Sequence, residues 1–192
     1  MKLPIIVLLS VCIFSSGIAQ QLLSTRPVAT YSIVALDEAT GELGVAVQSH
    51  WFSVGSVVPW AKAGVGAVAT QSFVKVDYGP DGLRLMESGM TAIKALEILI
   101  SQDDGEAVRQ IGMIDFNGNV TAHTGKRCIE HAGHIIGKNY SVQANMMAKS
   151  TVPKAMANAF DNSKGDLADR MMAALEAAET EGGDIRGKQS AA

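Results

Sequence analysis

"TYSIVALDEATGELGVAVQS", residues Thr30–Ser49, decides the fold. "TYSIVAL" alternates and is rich in β-formers, "DEATGE" carries turn residues with Gly41 near its end, and "LGVAVQSH" (Leu43–His50) reads as a second strand. Two short strands joined by such a turn predict an antiparallel hairpin. Downstream, "VGSVVPWAKAGVGAVATQ" (Val54–Gln71) adds two apolar runs, the first ending at Pro59 and the second being "GVGAVATQ". The small residues of the second run point to close packing against another layer.

The period then changes. "YGPDGLRLMESG" places Pro80 near a helix start and Gly89 near its end. "MTAIKALEILISQDD" puts Ile93, Leu96, Ile98, Leu99 and Ile100 on a broad apolar helical face, with Thr91 as cap. A short helix over "GEAVRQ" follows. "IGMIDFNGNVTAHTG" (Ile111–Gly125) reads as a hairpin whose Asn117-Gly118 pair favours a type I′ turn. "YSVQANMM" (Tyr140–Met147) is a further strand. "TVPKAMANAFDNS" and "GDLADRMMAALEAAETEGG" are helices, the second stopped by Gly182-Gly183. "QSAA" at the end resembles the opening of another strand, as in a C-terminally truncated chain.

Strands, helices, strands and helices in that order, with hairpins and no β-α-β alternation, predict an α+β domain with antiparallel sheets. A four-layer α-β-β-α sandwich would cover both sheets. One domain spans Thr30–Ala192.

Composition narrows the function. The chain has 192 residues, 47% hydrophobic and 18% charged, with a net charge of −3. It lacks the basic footprint of a nucleic-acid binder. Met1-Lys2, the apolar "LPIIVLLSVCIFSSG" and the small residues of "GIA" form a secretory signal pattern over residues 1–19, cut before Gln20. The apolar run is short for a membrane span. Residues 20–29 are then a short leader, and the expected location is periplasmic or extracellular, with no membrane attachment once the signal is cut. Cys128 would be the sole cysteine of such a mature chain, which leaves no internal disulfide. With His123 and His131 nearby it offers a nucleophile on paper, but a lone cysteine reads first as a small packing residue. His123, His131 and His134 lack a zinc spacing with a fourth ligand. "GVGAVA" is not a phosphate loop, because no Lys-Ser/Thr pair follows.

"TYSIVALD", "GELGVAVQS", "VGSVVPWAKAGVGAVATQ", "YGPDGLRLMESG", "AHTG", "YSVQANMM" and "GGDIRGKQSA" in series resemble a bacterial family. It is the domain-of-unknown-function family numbered 1028, placed in the N-terminal-nucleophile (Ntn) hydrolase superfamily. The resemblance covers nearly all of Thr30–Ala192. It implies the four-layer fold reached above, a homodimer, and an amide or peptide substrate of unspecified identity. Three departures stand out. Twenty-nine residues precede Thr30, His50 stands where lysine is common, and Ala144 stands where glycine is common.

Within that superfamily the first residue of the mature chain attacks an amide, and its own α-amine is the base. The chemistry is sound: a threonine hydroxyl needs a base, and an α-amine, with a pKa of about 7.7 to 8.0, titrates near operating pH. No cofactor or metal is required. Thr30 is the candidate nucleophile. Signal cleavage alone leaves Gln20–Ala29 attached, so a second cut at Ala29–Thr30 is needed. Gln71 and Asn145 are candidate oxyanion donors or substrate anchors. His123 and His50 are candidate substrate contacts, and Asp37 is a candidate to orient the amine. Each has a plainer reading: Thr30 as a strand residue, Gln71 and Asn145 as satisfied amides, His123 as structural and Asp37 as a turn cap. Trp51 and Trp60 are either core cover or a ligand-facing rim. The alternative to an amidohydrolase is a non-catalytic ligand-binding or oligomeric scaffold protein on the same fold.

Overall fold

The structure, a computed structural model, describes residues 30–192. The expected signal peptide (1–19) and leader (20–29) lie outside the described residues. The hairpin forms as expected: β1 (Thr30–Leu36) runs antiparallel to β2 (Leu43–Ser49), with Thr30 opposite Ser49 and Leu36 opposite Leu43. Asp37 organises its turn, its Oδ1 accepting from the N–H of Ala39 at 2.8 Å and of Thr40 at 3.3 Å. Then come β3 (Pro59–Lys62), β4 (Gly66–Ser72), α1 (Tyr78–Glu87), α2 (Ala92–Ser101), β5 (Arg109–Asp115) and β6 (Val120–Thr124). The chain continues with β7 (Gly133–Gly137), β8 (Tyr140–Asn145), α3 (Val152–Asn162), α4 (Leu167–Glu181) and β9 (Ser190–Ala191).

The described residues form a mixed α+β fold with two antiparallel sheets and four helices. One sheet has the order β7-β8-β1-β2-β9 and the other β3-β4-β5-β6. Side-chain alternation splits each strand between two packing layers. Tyr31, Ile33, Ala35, Val142 and Ala144 pack on Met156, Phe160, Met171 and Leu175 of α3 and α4. Val68, Ile111 and Met113 pack on Tyr78, Leu83, Ala95 and Leu96 of α1 and α2. Between the sheets lie Val34, Leu36, Val47, Ala67, Ala69 and Ile114.

Helix ends follow the signals in the sequence. The Thr91 side chain caps α2 by accepting from Lys94 N–H. Gly182, at φ +135°, ends α4. Three local expectations are corrected, and one further strand had not been anticipated. The apolar run before Pro59 contains a short 3₁₀ turn, Val54–Ser56, and Pro59 opens β3 instead of ending that run. "GEAVRQ" divides into a 3₁₀ turn, Glu106–Val108, and the start of β5. The β5–β6 turn is not type I′, because Gly118 (φ +81°) has positive φ and Asn117 does not. Here the buried Asp115 carboxylate takes control, accepting from Asn117 N–H at 2.9 Å and Asn119 N–H at 3.1 Å. Finally, "GHIIG" forms β7, paired with β8. Its flanking glycines and short apolar centre gave no strand signal.

Candidate functional site

β1 lies at the centre of its sheet, so its first residue has a neighbour on both sides: Thr30 is opposite Ser49 of β2 and Asn145 of β8. The facing sheet brings Gln71 of β4 and Gln110 of β5, which are register partners. All five side chains are buried. The inward face of β1 therefore starts polar, at Thr30 and Ser32, and turns apolar at Val34 and Leu36.

The polar end is hydrogen-bonded across the sheets. Thr30 Oγ1 donates to Ser49 Oγ at 3.1 Å. Gln71 Nε2 donates to Thr30 O at 3.3 Å and to Gln110 Oε1 at 2.8 Å. Asn145 Nδ2 donates to Thr30 O at 3.4 Å and to Gln110 Oε1 at 3.0 Å. Ser32 Oγ lies 2.7 Å from Gln71 Oε1 and 2.9 Å from Gln143 Oε1. Its single proton serves one of them at a time. Gln110 Nε2 reaches Thr124 Oγ1 at 3.0 Å, and Thr124 Oγ1 lies 2.8 Å from His134 Nδ1. Thr124 Oγ1 can both donate and accept, so it links Gln110 to His134. Burial, followed by the nearby His123, pushes the His134 pKa below the usual histidine value.

The sequence-derived candidates separate. Gln71 and Asn145 gather at Thr30. His50 follows Ser49; its N–H donates to Asp184 Oδ2 at 3.2 Å, and its buried Nδ1 has no partner among the described residues. Asp184 is paired in turn with Arg186 at 3.2 Å. Asp37 sits at the other end of β1, about 23 Å from Thr30 at strand rise, paired with Arg170 at 3.4 Å. That separation removes it from the Thr30 amine. His123 is opposite Ile111, which packs toward the helices, so it points away from the inter-sheet seam. Its Nε2 lies 3.1 Å from Glu106 Oε2. Cys128 lies beside Ser72 and donates to Arg109 O at 3.2 Å. Burial raises its thiol pKa, the reverse of what a thiolate nucleophile needs. Trp60 is core cover, lying against Gly79 and donating to Val57 O at 3.1 Å. Among the described residues no cluster of His, Cys, Asp or Glu could hold a metal.

Ser49 and Gln110 were missed by sequence reasoning. Their signal is a polar residue on the inward face of an otherwise apolar strand, the same signal that singled out Gln71 and Asn145. A hollow of about 650 Å³ lies elsewhere, on the helix side of β1 and β2, bounded by Tyr31, Gln48, Leu175 and Glu179. The Thr30 hydroxyl faces away from it.

A buried cluster of carboxamides and hydroxyls, held between two antiparallel sheets and centred on the first residue of the central strand, defines the class. The chain belongs to the family of unknown function DUF1028, whose profile matches residues 30–192. It is similar to the crystal structure of protein SPO2555 from Silicibacter pomeroyi, of the same family. The identity is 31% and the TM-score 0.78, over 85% of this chain and 71% of that one. No curated protein matches it.

Proposed function

We propose that this protein is an exported amidohydrolase of the Ntn type, with a four-layer α-β-β-α sandwich and Thr30 as its nucleophile once the Ala29–Thr30 bond is cut. The observation that carries the reading is the setting of Thr30. It opens the central strand, and its hydroxyl contacts Ser49 Oγ at 3.1 Å beside the Gln71 and Asn145 carboxamides. After the cut, the Thr30 amine takes the hydroxyl proton as Oγ1 attacks the substrate carbonyl. Gln71 Nε2 or Asn145 Nδ2 meets the oxyanion that results by giving up its longer contact to Thr30 O, at 3.3 or 3.4 Å. The amine then passes the proton to the leaving nitrogen, and water hydrolyses the acyl ester. Ser49 keeps the Oγ1 rotamer fixed, which lowers the entropy lost on reaching the attack geometry.

The complete burial of Thr30 favours the second reading, a non-catalytic protein in which this residue only begins a strand. Intact mass of protein exported from a competent host separates the two. The amidohydrolase requires a mature chain beginning at Thr30, and Thr30→Ala then abolishes amide hydrolysis while Thr30→Ser retains part of it. Protein that begins at Gln20 with Ala29–Thr30 intact rules the mechanism out.

A further inference from the structure

Gln110 is fully buried and reaches from its own sheet to the other. Its Nε2 lies 3.0 Å from Thr124 Oγ1, 3.1 Å from Gly133 O and 2.9 Å from Ala144 O. Backbone carbonyls only accept, so this end of the carboxamide is the NH₂ group. Oε1 must then face the Thr30 site, where it accepts from Gln71 Nε2 at 2.8 Å and from Asn145 Nδ2 at 3.0 Å.

One amide thus fixes two others. An oxygen turned inward at Gln71 or Asn145 would meet Gln110 Oε1 acceptor to acceptor. Both therefore present NH₂ groups, which also reach Thr30 O. Gln71 directs its oxygen to Ser32 Oγ at 2.7 Å. Asn145 Oδ1 has no such donor: it is buried without a hydrogen-bond partner among the described residues. A buried acceptor left in that state is costly, and an incoming donor would remove that cost.

We propose that Gln110 is the positioning residue of the Thr30 site, orienting Gln71 and Asn145 so that Asn145 Oδ1 accepts from an N–H group of the ligand. The site accordingly favours substrates with an N–H next to the reacting carbonyl over N-alkylated counterparts. The ligand preference rests on the amidohydrolase reading; the orientation of the amides does not.

Two measurements test the proposal. In ¹⁵N-labelled wild-type protein the side-chain NH₂ protons of Gln71 and Asn145 exchange slowly with solvent, and fast exchange of both in folded protein overturns the orientation. The second is acylation of mature Thr30 by 3-acetamido-oxetan-2-one, read by intact mass. Oγ1 bonds to the lactone carbonyl, the ring C–O bond breaks, the ring oxygen leaves as a hydroxyl carrying the proton, and the adduct gains the whole probe mass. Wild type acylates about tenfold faster with this probe than with its N-methyl analogue, the worth of one buried hydrogen bond. Folded Gln110→Met loses most of that preference. Equal wild-type rates for the two probes, or an unchanged preference in Gln110→Met, overturns the proposal. No acylation together with an intact Ala29–Thr30 bond overturns the amidohydrolase reading instead, and proton exchange then decides the orientation alone.

Discussion

Gly112→Ala probes how tightly the two sheets meet at the polar layer. Gly112 lies within β5, where any side chain would ordinarily strengthen the strand. A Cβ there would fall 2.3 Å from Gln143 Nε2, 2.5 Å from its Cδ and 2.7 Å from its Oε1. Carbon contacts are optimal at about 3.5 Å, so the carboxamide must retreat by about 1 Å. Gln143 has little freedom to do so, because Nε2 donates to Ser141 Oγ and Oε1 accepts from Ser32 Oγ at 2.9 Å. Ser32 retains an alternative acceptor in Gln71 Oε1, so the stranded groups are the two ends of Gln143 itself. Overpacking costs about 1–3 kcal/mol and a stranded buried amide about 1–3 kcal/mol. The smaller chain entropy of alanine returns about 0.5–1 kcal/mol. The net expectation is a loss of about 3 kcal/mol, or about 6–12 °C in Tm for a domain of this size. Urea unfolding of Gly112→Ala, Gln143→Ala and the double variant measures it. The three atoms nearest to the added Cβ all belong to Gln143, so the double variant should be more stable than the sum of the singles by about 2 kcal/mol. A loss below about 1 kcal/mol for Gly112→Ala, or strict additivity, would refute the close approach of the sheets.

Two further outcomes follow from the same geometry. Asp115→Ala removes the acceptor for Ala92 N–H at 2.9 Å as well as those of Asn117 and Asn119. It should cost about 3 kcal/mol in urea unfolding, and a loss under about 1 kcal/mol would show that the turn and the start of α2 hold without it. For His134, the folded-state pKa is lowered, so the unfolded chain binds the proton more readily. Its contribution is complete above about pH 6.5 and is lost as pH falls through the window below that value. Tm should therefore decline on acidification from pH 7, with a shallower slope in His134→Gln; an unchanged slope would mean that another group carries the transition.

The fold was largely legible because its signals are local. Thr30–Ser49 carries two alternating segments and a turn, Thr91 a cap and Gly182-Gly183 a stop, and each acts within a few residues of itself. What was lost depended on distant contacts. The β5–β6 turn contains Asn-Gly, but a carboxylate that also caps α2 sets its conformation. "GHIIG" is a strand because β8 offers an edge, not because of its own composition. At the site, Gln71 and Asn145 stood out as polar residues within apolar runs. Gln110 did not, because it sits at the boundary of "GEAVRQ", where helical periodicity masked the strand. Asp37 and His123 were drawn in by residue type alone, and strand direction and face then separated them from Thr30.

The inward faces of four strands change character at one level. On β1 the sequence of inward residues is Thr30, Ser32, Val34, Leu36; on β2 it is Ser49, Val47, Val45, Leu43. On β4 Gln71 precedes Ala69 and Ala67, and on β5 Gln110 precedes Gly112 and Ile114. The apolar half shows that this seam closes without amides, so folding alone supplies no reason for the polar half. A buried polar layer earns less stability than the apolar packing it displaces, and its value depends on every member being paired. Here the registers of four strands place the switch together, the Gln71–Thr30 and Asn145–Gln110 contacts tie the sheets across it, and Asn145 Oδ1, without a hydrogen-bond partner among the described residues, lies within it. On the proposed reading, the polar layer serves ligand chemistry at Thr30 and the apolar layer holds the sheets at the spacing the polar layer requires.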